Sequence, residues 1–422
     1  MVSLTPLIDS VTAPPTQERQ RGSGFWTVAF AFLIVMGFAT LPSPLYGLYR
    51  TRDHLSEIMI TLIYAIFAAG TITTLLAVPR VAALVGRRGV MLGAVATMMV
   101  AAALLASSKA LPGLLVGRLL SGSAVGLAAG SAITYLIELR LRSNPSASIV
   151  SARNIGTSVN VGGLGVGPLV AGGLAQWARW PLTLPYVVWV ALGAVALVGL
   201  WFVPETSAPT QPVTPTSRTT SSPSTRLPIP AAAGTMAAFA ASGLFAGLAG
   251  LILASTLLHP SRALSGATLF LIFSSGVASQ LAMTRLRPSR VLALGSLFML
   301  AGLVLLVTSV RLSTPNLALF LISGALVGGG VGAVFKGTTG IVLETAAPEN
   351  RLAMTSELLI AVYVGLSIPV IGIGIALNQG ASTPNTVLGF AILVALGVSA
   401  SGWALLRPRR PAAGGSSVGD PA

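Results

Sequence analysis

Twelve apolar runs, each near the roughly 20 residues that carry a helix across about 30 Å of hydrocarbon, set what this chain can become. They fall at 25–46, 58–78, 90–107, 111–137, 149–175 and 186–203, then at 231–258, 266–283, 291–310, 317–343, 355–377 and 386–406. Backbone amides in lipid must find partners within their own segment, so runs this long read as helices. A membrane barrel would alternate apolar and polar residues, and these runs do not. Only 8% of the 422 residues are charged, against about 25% in soluble domains, so water cannot solvate most of this surface. The 47 glycines concentrate in the runs, where small residues let helices approach closely.

The expected organisation is a polar tail (1–24), a six-helix bundle (25–203), a linker (204–230), a second six-helix bundle (231–406) and a short tail (407–422). The linker holds seven prolines in 27 residues and many Ser and Thr, which suits a flexible connection. No segment reads as a cleaved secretory signal, and the first run is expected to stay as a membrane helix.

Lys and Arg fix the expected orientation. With the N-terminus in the cytoplasm, seventeen lie on the inner side and six on the outer side, while Arg118 and Lys336 lie within runs. Both termini are therefore expected in the cytoplasm of a cell (inner) membrane protein. The same asymmetry accounts for the net charge of +15 without nucleic acid. The chain has no cysteine and no G-x-x-x-x-G-K-[ST] phosphate loop, and its two histidines fall in short connections. No cofactor, metal site or enzymatic activity is expected.

The two halves repeat. Leu120, Gly122, Val125, Gly126 and Glu138 correspond to Leu326, Gly328, Val331, Gly332 and Glu344 at an offset of 206. Pro168 and Pro369 match at 201. Duplicated halves imply a site at their interface near mid-membrane, with the halves rocking around it.

With this pattern, the chain resembles the major facilitator superfamily. Pro79 to Arg88 resembles the family's signature loop between the second and third helices; Gly86, Arg87 and Arg88 remain of it, while Ala83 and Leu84 replace its usual charged pair. Gly117-Arg118-Leu119-Leu120-Ser121-Gly122 resembles the family's intramembrane arginine motif. In the fifth run, Gly163, Gly167, Pro168, Gly172 and Gly173 are similar to the motif of proton-coupled exporters, with spacing after Gly-Pro one residue off. Val203-Pro204-Glu205-Thr206 closes the sixth run as the family often does, and Thr40 to Tyr46 looks like an uncharacterised bacterial, drug-exporter-like subgroup. The resemblance implies twelve transmembrane helices in two pseudo-symmetric bundles. It also implies a monomeric secondary transporter whose partners are protons, a small amphipathic substrate and the lipid bilayer, with efflux, antiport and multidrug resistance as its expected role. A facilitator or importer of a small, possibly anionic metabolite is the alternative.

Charge inside a bilayer is costly, so intramembrane charges usually have a task or a partner. Arg118 sits about 10 Å deep and keeps its proton, which leaves coupling, anion binding or bonds to helix carbonyls. Lys336, about 12 Å from the inner end, either faces the cavity or snorkels. Glu357 is the deepest carboxylate and serves as proton carrier or ion-pair partner. Glu349 or Glu344 is expected to meet Arg80, Arg87 or Arg88 as a gate, with a solvated charge cluster as the alternative. Tyr46, Tyr64, Tyr135, Asn160, Gln280 and Tyr363 are the remaining substrate-path candidates, each alone as consistent with packing as with ligand contact.

Overall fold

The computed structural model describes residues 15–108, 110–206 and 226–407, with the side chains of 15–23, 57, 349 and 352 outside the description. Residues 207–225 of the expected linker, the outer part of both tails, the side chain of Glu349, and Arg19, Arg21, Lys109, Arg218, Arg409 and Arg410 lie outside what is described.

The described chain is helical. In order come α1 (Pro15–Thr40), α2 (Tyr46–Asp53), α3 (Glu57–Ser107), α4 (Leu111–Ser143), α5 (Ile149–Trp177), α6 (Leu184–Trp201), α7 (Ile229–Leu251), α8 (Arg262–Ala282), α9 (Pro288–Arg311), α10 (Leu317–Thr345), α11 (Arg351–Asn378) and α12 (Thr383–Leu406). Eleven helical stretches are long and apolar enough to cross a membrane. α3 supplies two crossings: its 51 residues turn back at Gly86, whose φ of 74° and ψ of 176° interrupt the helix. The short loop expected at 79–89 is thus helix on both sides of one glycine. With it the crossings number twelve among the described residues.

Chain ends of both halves meet at one face. Gly24 lies beside Val203, Arg140 stacks on Phe25, and Ser401 Oγ donates to the Pro230 carbonyl at 2.6 Å. We call this the terminal face and its opposite the far face.

The internal repeat recurs as repeated backbone contact. In the first half, Gly122 and Gly126 of α4 lie against the carbonyls of Phe67 and Thr71 in α3. In the second, Gly328 and Gly332 of α10 lie against those of Ile272 and Gly276 in α8. Likewise Gly37 of α1 touches the α5 backbone at Gly163, and Gly243 of α7, 206 residues on, touches α11 at Leu366. Where both phases are oily, helices associate through such close packing rather than through solvent exclusion.

Two seams join the halves. α5 runs against α8, and the first part of α3 runs against α11. Along the first seam Gly172 meets the Arg262 carbonyl, Gly266 meets that of Pro168, and Gly165 rests on Phe270 and Phe273. Along the second, Gly374 rests on Thr61, and the rings of Phe67 and Tyr363 are 6.3 Å apart.

Gly86 also admits the Glu205 carboxyl, whose Cδ would sit 2.5 Å from a Cβ at that position. Positive φ with extended ψ is a region essentially reserved for glycine and costs an L-residue about 1–3 kcal/mol, and the carboxylate clash adds to it. Gly86→Ala should lower the apparent melting temperature of the detergent-solubilised protein by several degrees. Gly93→Ala, with open space at its Cβ in the same helix, should leave it unchanged or raise it; equal effects at both positions would rule out this account.

Candidate functional site

Arg118 is the most enclosed charge in the bundle among the described residues, 1% exposed and midway between α1, α3 and α4. Its Nη1 donates to the Ala39 carbonyl at 2.8 Å and to Ser121 Oγ at 3.3 Å, and its Nε to the Ile63 carbonyl at 3.4 Å. The guanidinium also lies over the Phe67 ring, 4.7 Å from its centroid. Ala39 is near the end of α1, where carbonyls lack an in-helix partner. Of the roles open to Arg118, bonding to helix carbonyls is the one its donors occupy.

Aromatic rings surround it. Tyr46 and Tyr64 meet edge to face at 6.4 Å, and Tyr64 lies near Gly247 of the other half. Tyr363 reaches Phe67 across the second seam. Three of the expected path residues, Tyr46, Tyr64 and Tyr363, therefore gather with Arg118 where the halves meet. Tyr135 stands apart: its hydroxyl donates to the Pro204 carbonyl at 2.8 Å, near the terminal face. Asn160 is half-buried in α5.

Lys336 does not point an unused ammonium into the interior. Its Nζ bonds the Gln280 carbonyl and the Thr284 hydroxyl, the latter at 3.1 Å, and so closes the end of α8. Gln280 thus enters through its main chain. Glu357, in α11, accepts the main-chain N–H of Leu227 at 2.8 Å, which pins the approach to α7 onto α11.

The fifth-helix glycines divide between two partners. Gly163 and Gly167 face α1, and Thr40 Oγ1 reaches the Leu164 carbonyl at 2.6 Å. Gly165, Gly172 and the Pro168 carbonyl face α8. Alternate sides of one motif hold a neighbour in the same half and a neighbour in the other.

At the terminal face, two acids of the first half meet Arg87 and Arg88. The Glu205 carboxylate accepts the main-chain N–H groups of Arg87 and Arg88, each at 2.9 Å, and that of Thr206 at 2.9 Å. Glu138 pairs with Arg87 at 3.2 Å and accepts from Thr206 Oγ1 at 2.6 Å. Arg88 bonds the Trp201 carbonyl and stacks on its ring. Arg142 clamps the carbonyls of Glu205 and Thr206 at 2.7 and 2.6 Å. Arg80 is exposed. Among the described residues, then, the acids at Gly86-Arg87-Arg88 come from the same half, not from Glu344; the cause is the left-handed turn at Gly86, which leaves two N–H groups aimed at one carboxylate. Glu205 was visible in the sequence only as the close of the sixth run.

A cavity of about 610 Å³ lies between the halves at the far face, lined by the turn between α1 and α2, α2, the approach to α3 and its start, the end of α7, and the approach to α8 and its start.

The family profile described as Major Facilitator Superfamily matches residues 28–286. The chain belongs to the major facilitator superfamily. Among solved structures it is similar to the nucleoside transporter NupG. A point mutant of that transporter gives a TM-score of 0.71 at 12% identity, covering 91% of this chain and 99% of that one. A second NupG structure gives 0.66 at 14%, covering 92% and 100%. At such identity the likeness is one of fold. No curated protein matches the sequence. As a member of this family, the chain is a membrane transporter of small molecules and not an enzyme.

Leaving the two carbonyls at Arg118 without donors should cost about 1–3 kcal/mol each. Arg118→Met should therefore lower the melting temperature markedly. Arg118→Lys should recover only part of the loss, because a single ammonium lacks the guanidinium's fork; full recovery by Lys would reduce the site to simple charge.

Proposed function

We propose that this protein is a secondary active exporter of small amphipathic compounds, exchanging substrate for protons by alternating access across the cell membrane, with its terminal face in the cytoplasm. The observation that carries this reading is the two-sided glycine surface of α5. An exporter must hold its far face against back-leak while the other face loads. Gly165 and Gly172 let α5 and α8 approach to backbone contact on that side, and Gly163 and Gly167 hold α5 on α1. This is the motif that resembles those of proton-coupled exporters.

Proton coupling falls to Glu357. It lies within the membrane-crossing stretch Ala353–Asn378, and its bond to the Leu227 N–H links its charge to the approach to α7. A protonated carboxyl is a weaker acceptor than a carboxylate. Protonation would loosen that link and free the start of the second half to move. Arg118 then acts by holding α1, α3 and α4 together, with the surrounding tyrosines forming the substrate path.

The alternative is proton-independent facilitation of an anionic metabolite. It loses support because Arg118 and Lys336, the two intramembrane cations of the sequence, are both engaged by carbonyls.

Proteoliposomes with an imposed pH gradient separate the two. An exporter should concentrate an amphipathic substrate only while the gradient lasts, and a protonophore should abolish the accumulation. Glu357→Gln should lose gradient-driven accumulation while retaining substrate counterflow. Equal flux with and without the gradient would establish the facilitator instead.

A further inference from the structure

The arginines of the two halves differ in company at the terminal face. In the first half Arg87 pairs with Glu138, and Arg88 bonds the Trp201 carbonyl. The second-half counterpart of that turn is the connection from α8 to α9, which brings Arg285, Arg287 and Arg290. All three are exposed, and none of their side chains forms a hydrogen bond or ion pair among the described residues. Gly340 of α10 rests on Pro288, which places Glu344 about one turn beyond this contact. Glu344 is the repeat partner of Glu138, yet it is exposed and pairs with none of the three.

The first half supplies a fourth arginine at the same place. Along the seam of α5 and α8, Gly172 meets Arg262, Gly165 meets Phe270 and Phe273, and Val161 lies by Gly276. The two helices therefore run antiparallel, and this register, carried to the terminal face, sets Arg153 of α5 opposite the last turn of α8. Arg153 is exposed, and its guanidinium also lacks a partner among the described residues. Lys336, bonded to the Gln280 carbonyl and the Thr284 hydroxyl, adds a further positive charge beside the end of α8. Cations from both halves thus gather at the mouth of one seam, with a single carboxylate nearby. Guanidiniums bind phosphate in a fork, and basic sites between the ends of membrane helices hold anionic head groups. Exposed apolar residues flank the cluster: Ile149 and Val150 precede Arg153, and Leu281 and Leu286 bracket Arg285. Cations at the end of a lipid-facing apolar surface suit a phosphate that carries acyl chains.

We propose that the terminal-face mouth of the α5–α8 seam binds an anionic phospholipid. Arg153 meets its phosphate from one half, Arg285, Arg287 and Arg290 meet it from the other, and its chains lie along the neighbouring apolar residues. One head group therefore bridges the halves. Neither the direction nor the coupling of transport enters, since occupancy is measured at equilibrium.

The test uses the full chain in detergent, with bound dioleoylphosphatidylglycerol followed by native mass spectrometry. The lipid should bind saturably, and dioleoylphosphatidylcholine at the same concentration should not displace it. Glycerophosphoglycerol, the head group without chains, should not displace it either. Arg153→Gln should weaken binding about threefold, and the double variant Arg285→Gln, Arg287→Gln about tenfold or more, as expected for lost charge-assisted contacts at a membrane surface. Arg179→Gln, which removes an exposed arginine beyond the other end of α5, should leave the affinity unchanged. These side chains hold nothing in the protein, so the melting temperature without lipid should stay at the parental value in every variant. Displacement by phosphatidylcholine or by glycerophosphoglycerol would overturn the proposal, as would an equal loss in Arg179→Gln. So would parental affinity in the double variant or, if that variant does not fold, in Arg153→Gln.

Discussion

Backbone against backbone is the contact on which this bundle depends. Gly122 on the Phe67 carbonyl, Gly328 on that of Ile272 and Gly266 on that of Pro168 are places where a methyl group would meet main chain. Oil outside and oil inside leave little solvent force to gather helices, so their association rests on shape and on the short polar contacts that shape allows. The glycines are spaced to provide those contacts, once within each half and again between halves. Everything polar in the interior is then arranged around them, including the carbonyls that Arg118 collects from α1 and α3.

The charged groups show the same economy. Arg118, Lys336, Glu205 and Glu357 each bind main-chain groups, and most of those groups lie at or near helix ends. Main-chain dipoles at such ends lack partners, and a charged side chain satisfies them strongly. Charges in this protein thus fasten helix termini to neighbouring helices.

How legible this was in the sequence follows from what each interaction reads. Spans were legible because hydrophobicity over some 20 residues is a property of side chains alone. The 206-residue repeat was legible for the same reason, and its glycines sit in matching contacts in both halves. Partners that are carbonyls or amides carry no residue identity, so the sequence showed Arg118 and Glu357 but not what they hold. The helical continuity of α3 through 79–89 was hidden because one glycine with positive φ replaces a loop. Glu205 was missed as the acid facing Arg87 and Arg88 because it lies 117 residues beyond Arg88, although the Pro-Glu-Thr signal was present. Arg50, His54 and Arg262, which line the far-face cavity, read as connection residues, since a cavity gathered from the ends of several helices has no pattern along any one of them.

The division of labour on α5 has a mechanical consequence. Gly163 and Gly167 fix the helix to α1, whereas Gly165, Gly172 and the Pro168 carbonyl meet α8, so the two sets share no residue. A helix built this way is a bearing with one fixed race and one running race. Any slip of α8 along its running side would have to release Phe270 and Phe273 from Gly165 and Arg262 from Ala175 and Gln176, while the anchored side keeps its register.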